Sequence, residues 1–366
     1  MTRTVLDGRD FKLGLFSANC SGGLAVTKID ERWSASWEDN LRMAKIADAA
    51  GFDFLLPIAR WIGYKGETNF HGQVLDPIAW AAGLLASTER ISVFSTVHTA
   101  FNHPLVIAKA IATLDQIGGG RAGLNIVAGW NQPEYEAMGV DMPQEHDARY
   151  AFAQEWWDII RQAWQREDIF DHKGEFFSLE HVESAPKPAG GRAPILNAGS
   201  SGQGREFAAR NSDFVFTIIP DVETGAGIAA SLKEQARSQH NREVGVLTLG
   251  HVVCRPTREE AEEYVRYYAE ENADWGAVDY LMNLQGLHAQ SFTPEMLATM
   301  RSRFASGHGS LPIFGTPDDV ADAIAAVHEA GFAGMTLAFV DYAGELPYFA
   351  EEVLPRLEAK GVRLPR

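Results

Sequence analysis

Short apolar runs alternate with longer amphipathic stretches along almost the whole chain, and that alternation restricts it to repeated strand–helix units. FKLGLF, from Phe11, reads as a first strand, and SWEDNLRMAKIADAAG repeats apolar residues at helical spacing before stopping at Gly51. FDFLLP follows at once as a second strand. DPIAWAAGLLAST opens a helix with Asp76 as cap and Pro77 at the first helical position, ISVFSTV follows it, and TREEAEEYVRYYAEENA has a capping-box start, Thr257 with Glu260 three residues on. Strands begin near residues 11, 52, 91, 121, 194, 213, 244 and 334, nearly every one followed by a helix. Eight such units make a closed (β/α)8 TIM barrel the expected fold, whereas a doubly wound sheet needs fewer strands and a diagnostic first-turn phosphate loop. Two stretches break the rhythm. Residues 168–190 alternate as a small hairpin would, and residues 275–312 are irregular, so both are expected as insertions in a single domain spanning 1–366.

Composition enters by what it excludes. The 366 residues are 46% apolar, enough for a sizeable core. Lys+Arg number 32 against 49 Asp+Glu, a net charge of -17 that repels phosphate backbones and anionic lipid, so neither nucleic acid nor a membrane is an expected partner. Cys20 and Cys254 cannot build a disulfide framework and lack metal-site spacing, and both are expected as small buried residues. No metal site is expected among the scattered histidines. With no apolar signal core and no run approaching a membrane span, the expected location is cytoplasmic.

The segment GGGRAG, from Gly118 to Gly123, has the spacing of a dinucleotide loop, but it lies between a helix and a strand, the wrong order for that use. It reads as a helix stop and a turn into the fourth strand. His98 at a strand end and His103 before a helix are the histidines best placed for chemistry, with packing or capping the plainer role. In a barrel of this kind chemistry sits at the C-terminal ends of the strands. Those ends are Ser17 to Asn19, Pro57 to Arg60, Thr96 to His98, Asn125 to Trp130, Gly199 to Ser201, Phe216 to Ile218, and Asp341. They are mostly apolar and amide-bearing, which suits a planar aromatic cofactor better than hydrolysis. NAGSSGQG gathers backbone N–H groups at a helix start, an anion cradle to which Arg149 and Tyr150 can add a charge and a hydroxyl.

These stretches resemble the bacterial luciferase-like flavin monooxygenases, and within them the branch of the pyrimidine and dimethyl sulfone monooxygenases. The resemblance runs from about Phe11 to Leu364. It is carried by SGGLAVTKI, GFDFLLPIARWIGYKGET, LDQIGGGRAGLNIVAGWNQPEYEAMG, HDARYAFAQEWW, APKP, NAGSSGQGREFAAR and DFVFT. By position it implies FMN contacts at Ala59, Arg60, Asn125, Glu134, Arg149, Tyr150 and Ser201. It also implies an oxygen-activating pocket of Leu56, Thr96, Asn125, Trp130 and Phe216, small and dry, with one hydroxyl and one amide. The implied activity is a two-component monooxygenase that takes reduced FMN from a separate NAD(P)H:flavin reductase and uses O2 to oxygenate a small organic molecule. Oxidative cleavage of an amide or ring C–N bond is the expected chemistry, and sulfone or alkanesulfonate oxygenation the alternative. A deazaflavin-dependent hydride transfer and a non-catalytic flavin-binding barrel are the other readings, the former disfavoured by the acidity of the chain. The family also implies a homo-oligomer. Two departures bear on substrate: Arg60 stands where the pyrimidine branch has lysine, and RWIGYKGETNFHG and residues 275–312, which would touch substrate, differ.

Overall fold

The strands of the main sheet form at the short apolar runs, as the alternation predicts. The computed structural model describes residues 5–6, 11–143, 145–199, 202–287 and 293–364. Its strands are β1 (Lys12–Phe16), β2 (Phe54–Leu56), β3 (Ser92–His98), β4 (Ala122–Val127), β5 (Phe170–Lys173), β6 (Ser178–Val182), β7 (Ile195–Asn197), β8 (Phe214–Phe216), β9 (Gly245–Cys254), β10 (Leu311–Gly315) and β11 (Gly334–Ala338). All but β5 and β6 belong to one parallel sheet, and the fold is a (β/α)8 barrel with helices between its strands. The chain divides into two compact units, each discontinuous in sequence.

The first unit takes residues 76–217 and 231–246. In it β3 pairs with β4 from Val93↔Ala122 to His98↔Val127, β4 with β7, and β7 with β8, all parallel. The helix Pro77–Ser87 starts as expected, with the Asp76 carboxylate accepting from the N–H groups of Ile78 and Ala79. The helix Pro104–Gly118 ends on Gly119 at φ 58, the left-handed cap that frees the chain to turn into β4, so GGGRAG is a helix stop. Residues 168–190 contain the antiparallel hairpin β5–β6, which leans on the helix His146–Gln165 through Glu155. The Glu155 carboxylate accepts from the backbone N–H groups of Glu175, Phe176 and Phe177 at 2.9, 3.0 and 2.9 Å.

The second unit takes residues 11–75, 218–230 and 247–364. There β11 lies between β1 and β9, and β1 pairs with β2, again in parallel register. The helix Arg258–Arg266 begins with the capping box expected of Thr257 and Glu260. It continues as a π-turn over Tyr267–Glu271. Residues 275–312, irregular in pattern with scattered helical signals, are largely helical. Those described form the helices Trp275–Leu284 and Pro294–Gly307, and the next segment is a ninth sheet strand, β10, which pairs with β9 from Leu311↔Gly250 to Gly315↔Cys254. β10 escapes a pattern search because it is short, carries Pro312 and sits at the sheet's edge, where a residue without an N–H is tolerated. Cys20 and Cys254 are both buried thiols outside any disulfide, and burial pushes that of Cys254 up to about 12.

Candidate active site

The candidate residues fall in both units, and each set is described within its own. In the first unit, the register of β3 on β4 sets Thr96 directly opposite Asn125. The Asn125 amide donates from Nδ2 to Thr96 Oγ1 at 3.0 Å, and both residues are buried, at 6% and 7% exposure. That bond fixes which way the amide faces. Its Oδ1 is buried and meets no donor. Leaving such an acceptor unmet costs about 1–3 kcal/mol, so the arrangement is one that a ligand donor improves.

In the same unit, Trp130 after β4 is 39% exposed, Glu134 is fully buried in the helix Gln132–Met138, and Phe216 ends β8 at 7% exposure. Arg149 and Tyr150 lie in the first turn of His146–Gln165. Arg149 donates to the Met142 sulfur at 3.4 Å, while its Nε is buried and has no acceptor. Burial raises the Tyr150 phenol, against the opposing pull of the Arg149 charge, so Tyr150 stays a neutral hydroxyl. A Cβ on Gly204 would lie 2.6 Å from Tyr150 Oη and 2.8 Å from Gly199 Cα, so glycine at this helix start lets backbone and phenol approach. Ser201, expected beside it, lies outside the described residues. His98 is stacked on Phe101 with ring centroids 5.4 Å apart. His103 caps its own helix, accepting from Leu105 N at 3.3 Å.

In the second unit Leu56 ends β2 at 1% exposure, and Ala59 and Arg60 follow at 2% and 8%. The Arg60 guanidinium lies 5.0 Å from the centroid of the Tyr64 ring. Three further rings assemble here that no sequence spacing brought forward. His71 stacks on Phe70 at 4.0 Å and lies 5.8 Å from His308, and Tyr64 lies within 5.9 Å of both histidines. His71 Nε2 contacts Gly23 O at 2.6 Å. Burial, then the neighbouring His308 and Arg60, holds His71 well below the ordinary imidazole range, and burial and Arg60 push His308 to about 3. Both are neutral at pH 7. The segments RWIGYKGETNFHG and 275–312 draw attention as regions of difference, but residues 71 and 308 meet only once the chain is folded.

The Luciferase-like monooxygenase family profile matches residues 11–334, and the chain belongs to that family. It is 32% identical to the FMNH2-dependent dimethylsulfone monooxygenase of Pseudomonas fluorescens, over 95% of this chain and 96% of that one. It is 30% identical to the pyrimidine monooxygenase of Acinetobacter baylyi, over 95% of each. Among solved structures, a riboflavin lyase superposes with a TM-score of 0.86 at 22% identity over 97% of this chain and 92% of its own. A long-chain alkane monooxygenase gives 0.85 at 20%, over 98% and 94%. At such identities these two speak for the fold alone. The protein is thus an enzyme, a luciferase-like flavin-dependent monooxygenase. Among the described residues no helix is long and apolar enough to cross a membrane.

Proposed function

We propose that this enzyme is a two-component monooxygenase that takes reduced FMN from a separate NAD(P)H:flavin reductase and consumes O2. It transfers one oxygen atom to a small uncharged substrate with a C–N bond beside a carbonyl, as in an amide or a pyrimidine ring. The observation that carries this reading is the buried Asn125–Thr96 pair, which offers one buried amide oxygen without a donor. Bound reduced FMN supplies the two electrons and two protons with which one oxygen atom of O2 enters the product and the other leaves as water. The remaining work belongs to the chain. Thr96 fixes the Asn125 amide, Asn125 orients what binds beside it, and Leu56, Trp130 and Phe216 exclude water. Ala59, Arg60, Glu134, Tyr150 and Ser201 are proposed as further FMN contacts with Asn125, and Arg149 as the cation for the phosphate. The unmet Arg149 Nε and the Gly199–Gly204 approach support that fit. Replacing Arg149 with alanine is expected to weaken reduced FMN by about ten- to hundredfold and riboflavin much less. Equal losses for the two ligands in a titration would remove Arg149 from the phosphate.

The preference for an uncharged substrate rests on Arg60 and its neighbours. Burial keeps His71 and His308 neutral, so this cluster offers Arg60 as its permanent charge. A sulfonate asks for two or more cations, whereas a carbonyl asks for a donor. A sulfone is also uncharged with acceptor oxygens, and the 32% identity to a dimethylsulfone enzyme makes it the second reading. Oxygen-dependent turnover of uracil, cyclic and linear amides, dimethyl sulfone and short alkanesulfonates, with FMN and a generic reductase, separates them. Amide or ring cleavage is the expected result, and turnover of the sulfone alone, read as sulfinate and formaldehyde, or of the sulfonates alone, read as sulfite and aldehyde, would overturn it.

A further inference from the structure

The second unit holds a cavity of about 680 Å³ against β9 and β10, roofed by the π-turn Tyr267–Glu271 and the helix Pro294–Gly307. None of its lining residues belongs to the proposed flavin or oxygen contacts. Most of its wall is apolar, from Val253, Val265, Leu311 and Ile313. Tyr268, Glu270, Thr299, Ser302, Arg303 and Ser306 add polar groups to the lining, and two further polar side chains in it are buried with an atom unmet. His251, 4% exposed, has no partner at Nε2, and Ser310, 2% exposed, has none at Oγ. They are neighbours, for the point a Cβ on Gly307 would occupy is 2.7 Å from both His251 Cβ and Ser310 Oγ. Two such unmet buried groups side by side are costly for a folded chain to keep.

The surrounding hydrogen bonds state what is missing. Tyr268 donates its hydroxyl hydrogen to Ser306 O at 2.8 Å, so the face it turns to His251 Nδ1, 3.5 Å away, is a lone pair. Nδ1 therefore carries the ring proton, and Nε2 is left as a bare acceptor. Burial pushes His251 down to about 3, so the ring is neutral and Nε2 accepts at any physiological pH. Ser310 has a hydroxyl hydrogen to give. We infer that this cavity binds a small uncharged molecule with a hydroxyl group on an apolar body, its O–H donating to His251 Nε2 and its oxygen accepting from Ser310 Oγ.

The test titrates the full chain with 4-fluorophenol and with 4-fluorotoluene, which has the same ring without the donor, and follows fluorine NMR. Saturable binding of the phenol, about tenfold tighter than the toluene, is expected. His251→Leu should bring the phenol to the level of the toluene, and Ser310→Ala should weaken it in the same direction. If His251→Leu fails to fold, Ser310→Ala carries the test alone. Equal affinity for the two probes, no saturable phenol binding, indifference to both substitutions, or loss of phenol binding in Asn125→Ala would each overturn the assignment.

Discussion

Arg121, just before β4, and Asn125, in the C-terminal half of that strand, lie four residues apart, are buried to nearly the same degree, and are treated in opposite ways. Arg121, 5% exposed, has its guanidinium enclosed by acceptors. Its Nε donates to Gly118 O at 2.8 Å, one terminal nitrogen to Ile91 O and Thr88 Oγ1 at 2.7 and 3.1 Å, and the other to Leu85 O and Thr88 O at 2.8 and 2.9 Å. Asn125, 6% exposed, spends its amide hydrogen on Thr96 and leaves Oδ1 open. The N-terminal end of the strand is finished by the chain itself, and the C-terminal end waits for something else. In barrels of this kind stability resides at the first face and chemistry at the second. What separates them here is whether a buried polar group is satisfied, not whether it is buried or charged.

The comparison is broken most severely at Arg121. Arg121→Ala strands several buried carbonyls that now accept from a cation, and the expected loss of stability is about 4 kcal/mol or more. Arg121→Lys should recover only part of it, since one ammonium cannot reach acceptors on both sides of a planar fork. Denaturant unfolding measures the loss, while turnover per folded molecule should be unchanged. A variant as stable as the parent would show that the guanidinium cage does not hold this end of the strand.

At the open end the effects should exchange places. Asn125→Ala or Thr96→Val is expected to lower oxygen transfer by about 2.7–4 kcal/mol of activation free energy, a hundred- to thousandfold. Stability should fall by about 1–3 kcal/mol, less than at Arg121, because each variant breaks the single buried Asn125–Thr96 hydrogen bond while Oδ1 makes no contact whose loss the fold would feel. Product formation against a reductase-only control, beside a melt of the same sample, reads both quantities. Parental turnover in either variant removes the pair from the chemistry.

This contrast was only half legible in the sequence. Repeating periods exposed the eight barrel strands, the Asp76 and Thr257 caps and the Gly119 stop, because each is a local consequence of local residues. β10 was not legible, since a five-residue edge strand containing Pro312 has too few positions to show a period. Nor does residue type tell an open amide from a closed one. Asn19 also follows a strand, yet it is tied on every side, donating to Ile58 O and Leu75 O at 2.7 and 2.9 Å and accepting from Ile58 N at 2.9 Å. His71 and His308 are 237 positions apart in the chain, and the fold is what sets their rings 5.8 Å from each other. Family resemblance could point to Asn125, whereas the absence of a partner at Oδ1 is a property of the folded state.

The smallest expected effect sharpens the comparison at a satisfied site whose key group can titrate. Glu155 resembles Arg121 in being saturated by the backbone, with three N–H groups of the hairpin turn and His172 Nε2 at 3.0 Å. Burial alone would raise its carboxyl, but the N–H of Phe176, the His172 ring, and the N–H groups of Phe177 and Glu175 together hold it below the ordinary range. A carboxyl depressed by folding gives its full stabilisation above the unfolded value of about 4.3 and loses it as pH falls through the lower folded value. The hairpin should therefore loosen in acid. The contribution is on the order of 1 kcal/mol, because the turn stays within reach of water. Protection of the Phe176 and Phe177 amides against hydrogen exchange, corrected for intrinsic rate, should fall between about pH 6 and about pH 3. In Glu155→Gln it should start lower at about pH 6 and change little below it, since an amide has no proton to gain over that range. The same slope in both proteins would assign the acid sensitivity to another group and leave Glu155 as a spacer.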